Sequence, residues 1–274
     1  MKVSRGLVKV ASGIFPNYFV NKAYETLVNP QVKKLRPHEL EVLDLAEKRD
    51  IAFHSFRIRT YSWNPGHEKV LLIHGWEGQA GNFADLIELL VRAGYTVEAF
   101  DAPSHGFSSQ GETSLIEFKD LAGFMIRKSG AKKLVSHSFG GVATTGALFD
   151  NLDITIDAYA LLTTPDKFAE RLDQVADQTG ISNGVKKRLK STIERELGMK
   201  AESLNVSDWV REIGVRRAAI WHGKTDTVIP IAQSRNVALN WSEAEMNEIP
   251  EVGHFRILRS PEILEQVITF LGKS

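Results

Sequence analysis

Cysteine is absent from the 274-residue chain. That excludes disulfide staples, thiolate zinc sites, iron–sulfur clusters and a cysteine nucleophile. An excess of charge of either sign is missing too, because 34 basic side chains offset 34 acidic ones. No global basic field exists to hold nucleic acid. No uncharged apolar run approaches the ~18 residues that a membrane span needs. Residues 1–20 make a poor signal peptide, since Lys9 breaks the apolar run and no clear cleavage site follows. Phosphate loops of the Gly-x-Gly-x-x-Gly or Walker type do not occur, nor does a His-Glu-x-x-His helix. The eight histidines are scattered. These absences lead us to expect a cytoplasmic protein with no cofactor, no metal, no nucleic-acid partner and no integral membrane segment.

What is present suits a globular domain, because 43% of residues are hydrophobic and 9% aromatic, enough for a sizeable core. The charge is uneven locally. Residues 1–36 carry Lys2, Arg5, Lys9, Lys22, Lys33, Lys34 and Arg36 against Glu25 alone, seven minus one, or +6. Val3, Leu7, Val10 and Ile14 recur at helical spacing, so this is a basic amphipathic helix. Two readings are open. It packs on the body of the protein or a second subunit, or residues 1–20 make a peripheral membrane contact.

Periodicity predicts a helix over His38–Arg49 and strand character over Phe53–Tyr61. From Val70 onward, short apolar runs alternate with helical stretches. The runs are Val70–Ile73, Tyr95–Phe100, Lys133–Ser136, Asp157–Thr163, Ala218–Trp221 and Glu245–Ile249. Such alternation implies an α/β fold with a mostly parallel central sheet and helices on both faces. About fifty residues separate Thr163 from Ala218, more than a crossover helix requires. Three helical patterns lie there: Phe168, Leu172 and Val175; Val185, Leu189 and Ile193; Trp209, Val210 and Ile213. The expected organisation is an N-terminal helical extension (1–49), a core (50–165 and 218–274) and a helical cap insertion (166–217).

Ser136-His137-Ser138-Phe139-Gly140-Gly141 stands where a short strand meets a small-residue helix. A serine on such a strained turn is pushed out above the sheet, with the helix N-terminus aimed at it. Ser136 departs from the strict Gly-x-Ser-x-Gly pattern but is still small. Other motifs follow strands in order: His74-Gly75-Trp76, then Asp101-Ala102-Pro103-Ser104-His105-Gly106-Phe107-Ser108. After the elbow come His222-Gly223-Lys224-Thr225-Asp226 and Gly253-His254-Phe255.

With these motifs in this order, residues 50–274 resemble the α/β-hydrolase fold superfamily, and in particular a serine esterase with a helical cap. The resemblance implies Ser138 as nucleophile, His254 as general base and Asp226 as the acid that orients it. Asp166, just past Thr163-Thr164-Pro165, is a rival acid, because some members place the carboxylate there. The resemblance further implies an oxyanion hole from the backbone N–H groups of Trp76 and Phe139. His74, His105 and His137 read as structural members of their turns, and Asp101 as an organiser of the loop below the site. Phe107 and Phe168 are the candidate lining of a substrate pocket. A serine at the elbow argues against the carboxylate nucleophile of dehalogenases and epoxide hydrolases. The expected activity is cofactor-free hydrolysis of a small or medium hydrophobic ester. The alternatives are a thioesterase or acyltransferase, or a slow-turnover small-ligand sensor that keeps the triad.

Overall fold

The computed structural model describes residues 5–273. By contacts the chain divides into a larger unit, Gln31–Asp166 with Val206–Ser274, and a smaller one, the residues through Pro30 with Lys167–Asn205. These boundaries cut the chain differently from 1–49 and 166–217.

The larger unit is built on an eight-stranded sheet. In chain order its strands are β1 (Glu47–Phe53), β2 (Phe56–Trp63), β3 (Lys69–Ile73), β4 (Thr96–Phe100), β5 (Lys133–His137), β7 (Ala158–Leu162), β9 (Ala218–Gly223) and β10 (Ala244–Ile249). The spatial order is β1-β2-β4-β3-β5-β7-β9-β10. The β1–β2 and β2–β4 pairs are antiparallel and the rest are parallel. Two further short strands, β6 (Thr155–Ile156) and β8 (Gly214–Val215), pair as a separate parallel ribbon. Every residue of β5, β7 and β9 is buried. That is the signature of strands covered on both faces, and it explains their unbroken apolar runs.

The covering helices are α3 (Pro37–Asp44), α4 (Ala84–Arg92), α5 (Leu115–Ser129), α6 (Phe139–Phe149), α9 (Val206–Trp209), α10 (Ile231–Leu239) and α11 (Pro261–Gly272). Local chemistry sets their ends. Ser114 caps α5 by accepting a hydrogen bond from Ile116 N, and Gly130 ends it in the left-handed conformation at φ 65°. Pro261 opens α11, where its missing N–H costs nothing.

Two expectations are corrected here. The helix expected over His38–Arg49 stops at Asp44, and Glu47 already begins β1. Hairpin pairing of Glu47–Phe53 with Phe56–Ser62 overrides the helical pattern of Leu40, Leu43 and Leu45. The third helical pattern of the insertion is only one turn, α9, because the chain after Ile213 leaves to pair β8 with β6.

The smaller unit contains α1 (Arg5–Ile14), α2 (Pro16–Val28), α7 (Phe168–Thr179) and α8 (Asn183–Leu197). Ser182 caps α8, and Val185, Leu189 and Ile193 are its buried stripe, as their spacing implies. α1 and α2 pack against α8. Ser182 N donates to Ser12 Oγ at 2.8 Å and Arg188 Nη1 to Asn17 Oδ1 at 3.0 Å. Lys2 and Val3 of the expected basic helix lie outside the described residues. No helix among the described residues is long and apolar enough to cross a membrane.

Candidate active site

Parallel registry brings the carboxyl ends of the central strands into line. Ile73 pairs with Ser136, His137 with Leu162, and Leu162 with Trp221. The turns that follow these strands therefore converge at one end of the sheet, where ligands of open α/β sheets bind.

Ser138 sits in the turn from β5 to α6 with φ 54° and ψ −123°. This strained backbone is held by hydrogen bonds from Ser138 N to the carbonyls of Thr163 (2.7 Å) and Leu162 (3.1 Å). Two glycines let the surrounding chain close in. A Cβ at Gly140 would lie 2.4 Å from the His74 carbonyl oxygen, and one at Gly75 would lie 3.1 Å from Ser138 Cβ. Ser136, in place of the usual glycine, is buried and exchanges a hydrogen bond of 2.7 Å with Tyr159 OH on the adjacent strand. The departure from the motif is thus absorbed by a partner that the motif does not include.

Asp226 follows β9 and His254 precedes α11. His254 Nδ1 and Asp226 Oδ2 are 2.8 Å apart. The carboxylate can only accept, so Nδ1 is the donor in this contact. Asp226 Oδ1 accepts from Val228 N (2.7 Å) and Ile229 N (2.9 Å). Burial by itself pushes this carboxyl up, but His254 and the two backbone N–H groups outweigh it and hold Asp226 below its usual value. Ser138 Oγ makes no hydrogen bond among the described residues. Nucleophile–base contacts are often loose without substrate and tighten when it binds.

Asp166, the rival acid, is engaged elsewhere. Its Oδ1 accepts from Ser207 N at 2.7 Å and its Oδ2 from Asn236 Nδ2 at 2.5 Å. It anchors the start of α9, while the histidine partner belongs to Asp226.

The loop after β3 carries Trp76. It is fastened by Asp101, whose buried carboxylate accepts from Ala80 N, Phe107 N and Tyr61 OH, each at 2.8 Å. Asp101 therefore ties the Trp76 loop, the Phe107 loop and β2 together. Burial raises its carboxyl despite these three donors. The Trp76 ring meets Phe139 edge-on with centroids 5.2 Å apart, so the two expected oxyanion residues are neighbours. Phe107, on the loop after β4, is half exposed at 48%. Phe168 opens α7 in the smaller unit and is not among the residues that the larger unit assembles around Ser138.

The buried histidines have assignable tautomers. His74 Nδ1 donates to the Gly75 carbonyl and its Nε2 accepts from Ala102 N. His105 Nδ1 donates to the Pro103 carbonyl and its Nε2 accepts from Glu77 N. Burial pushes His105 down to about 4 and, helped by His105, holds His74 well below its ordinary value. Both are therefore neutral loop supports. Sequence reasoning missed two partners, Tyr61 for Asp101 and Tyr159 for Ser136. It quoted His222 in a motif but gave it no role; the ring is buried with Nε2 3.6 Å from Asp226 Oδ2 and 3.0 Å from the Ile229 carbonyl. The signal was the His-Gly pair that ends β9. Among the described residues no group of His, Asp and Glu is arranged to hold a metal ion.

Comparison with solved structures finds the same fold in several enzymes. An esterase from Pyrococcus furiosus superposes with a TM-score of 0.62 at 17% identity, covering 90% of this chain and 97% of that one. The thioesterase domain of a curacin biosynthetic pathway gives 0.60 at 16% identity, covering 81% and 99%. A bacterial membrane phospholipase A gives 0.64 at 14% identity, covering 96% and 94%. At these identities the likeness concerns the fold. No curated protein matches the sequence. The profile of the alpha/beta hydrolase family matches residues 70–267, which span the Trp76 loop, the elbow at Ser138, Asp226 and His254, and the chain belongs to that family.

Proposed function

We propose that the protein is a cofactor-free serine hydrolase of small or medium hydrophobic carboxylic esters. The observation that carries this reading is the 2.8 Å Asp226–His254 contact at the same sheet end as a serine at positive φ. In the proposed reaction Ser138 Oγ attacks the ester carbonyl and its proton passes to His254 Nε2. The resulting imidazolium faces the Asp226 carboxylate. The backbone N–H groups of Trp76 and Phe139 receive the developing oxyanion. Collapse expels the alcohol, which takes the proton from His254, and leaves an acyl group on Ser138. Water then repeats the sequence and releases the acid.

Trp76, Phe107, Phe139 and Phe255 supply apolar side chains on the site loops, which suits an acyl chain or a compact hydrophobic group. Solved structures with this fold include an esterase and an enzyme described as degrading N-acyl homoserine lactones.

A series of chromogenic esters and thioesters of rising acyl length tests the reading, with Ser138→Ala as the blank. Each methylene that fits adds about 0.8 kcal/mol of binding, so kcat/KM climbs until the pocket is full and then drops. A preference for thioesters would move the protein to the thioesterases. Labelling of Ser138 by a fluorophosphonate without turnover of any ester would favour a ligand sensor. Labelling that survives Ser138→Ala would overturn the assignment of the nucleophile.

A further inference from the structure

The first helix is packed inside out. Its one buried residue is Ser12, a polar side chain whose Oγ accepts from Ser182 N. On the other side of the helix, at 3.6 residues per turn, Leu7, Val10 and Ile14 form a stripe, and they are 65%, 64% and 64% exposed. Phe15, where α1 gives way to α2, and Tyr18 in the first turn of α2 are also exposed, at 63% and 65%. An amphipathic helix at the surface of a folded unit ordinarily turns its apolar stripe inward. Here Ser12, flanked by the half-buried Val8 and Ala11, meets the protein, and the stripe of Leu7, Val10 and Ile14 meets solvent.

Along the helix itself the charge has one sign, while the carboxylates of Glu170, Asp173 and Asp177 on α7 line one pocket with Arg5, on the docked side near Ser12. No acidic residue occurs before Glu25, which is paired with Lys22 at 2.9 Å. Lys9 is exposed and makes no ion pair among the described residues. α8 adds the exposed Lys187 and Arg188, and Arg188 reaches Asn17, between Phe15 and Tyr18. We infer that this outward stripe with its cationic rim docks the protein on an anionic lipid surface, as an interfacial helix. Apolar side chains enter the acyl boundary, aromatic rings sit at headgroup level and the cations meet lipid phosphates. A second copy fits less well. A two-fold contact sets the same patch against itself and would bring Lys9 and Arg188 toward their own equivalents.

The test is co-sedimentation of the full chain with vesicles of phosphatidylcholine, with and without phosphatidylglycerol. Binding is expected to the anionic vesicles and to weaken with salt. Ile14→Ser with Phe15→Ser should lower the bound fraction by roughly tenfold or more, since two large apolar side chains no longer leave water. Lys9→Glu should lower it at low salt. Leu239→Ser, which trims an apolar side chain 84% exposed on α10, should leave binding unchanged. The serine variants remove exposed side chains, and circular dichroism melts verify that they fold. Equal binding to both vesicle types, or equal loss with Leu239→Ser, would overturn the inference. So would a lipid-free dimer that Ile14→Ser with Phe15→Ser dissociates.

Discussion

His137 donates its Nε2 proton to the backbone carbonyl of His254 across 3.0 Å, and the two rings lie 4.8 Å apart. The residue before Ser138 thus holds the loop of the expected base. β5 and the His254 loop come from distant parts of the chain, and this bond joins them directly. Burial, then the neighbouring His254, pushes His137 down to about 3. A neutral ring is what the site needs at that point. A charged one would oppose the imidazolium that the proposed reaction forms on His254.

The two aspartates should separate cleanly on substitution. Asp226→Asn removes the carboxylate that fixes the His254 tautomer, and kcat is expected to fall by about 10⁴ with the fold intact. Asp166→Asn should keep kcat within a few fold. It should lower stability by about 1–3 kcal/mol, because an amide nitrogen would face the donors Ser207 N or Asn236 Nδ2. Kinetics on the best ester and urea melts of both variants check this. The opposite pattern would make Asp166 the catalytic acid.

Stability should depend on pH through the buried histidines. His137 and His105 stay neutral in the folded protein down to about 3 and about 4, whereas an unfolded histidine takes its proton near ~6.5. Between those values the unfolded chain binds more protons than the folded one, so stability rises with pH. The contribution is complete above about 6.5 and declines as pH falls toward 4, by about 1.4 kcal/mol per pH unit for each histidine. Urea midpoints measured from neutral pH to about pH 5 should fall accordingly, and His105→Asn should flatten the slope. A midpoint independent of pH over that window would show that these rings are charged in the fold.

Ser136 and Tyr159 should behave as a unit. Ser136→Ala leaves a buried phenol short of a partner and should cost about 1–3 kcal/mol. The double change Ser136→Ala with Tyr159→Phe should cost less than the two single changes added together, because the hydroxyl and its partner leave at once. Strict additivity in thermal or urea melts would mean that the 2.7 Å contact carries no coupling.

Much of this was legible because the strong signals were physical. Unbroken apolar runs such as Val70–Ile73 and Ala158–Leu162 have one home, a sheet covered on both faces. The elbow was legible from Gly140 and the small residues of α6, since only glycine tolerates the 2.4 Å approach to His74 O. What stayed hidden depends on distant pairing. Glu47–Phe53 carries no strong strand signal of its own and becomes a strand because Phe56–Ser62 folds back on it. Asp166 and Asp226 look alike in sequence, each soon after a strand, and only the partners distinguish them. The grouping of α1 and α2 with α8 rests on contacts such as Ser12–Ser182, which no local pattern announces.

That last grouping bears on how the chain is made. Ser12 and Asn17 bond to Ser182 and Arg188, which follow them by 170 and 171 residues. At typical synthesis rates the first two helices leave the ribosome roughly 10–30 s before α8 exists to receive them. During that interval β3, β4, β5 and the elbow are completed, so the turn at Ser138 is made before the first helices can dock on α8. Residues 5–28 are thus made well before α8 and are among the last to find their native neighbours. Nascent chains truncated between α6 and α8 should accordingly show those first helices far more open to protease than the strands made after them.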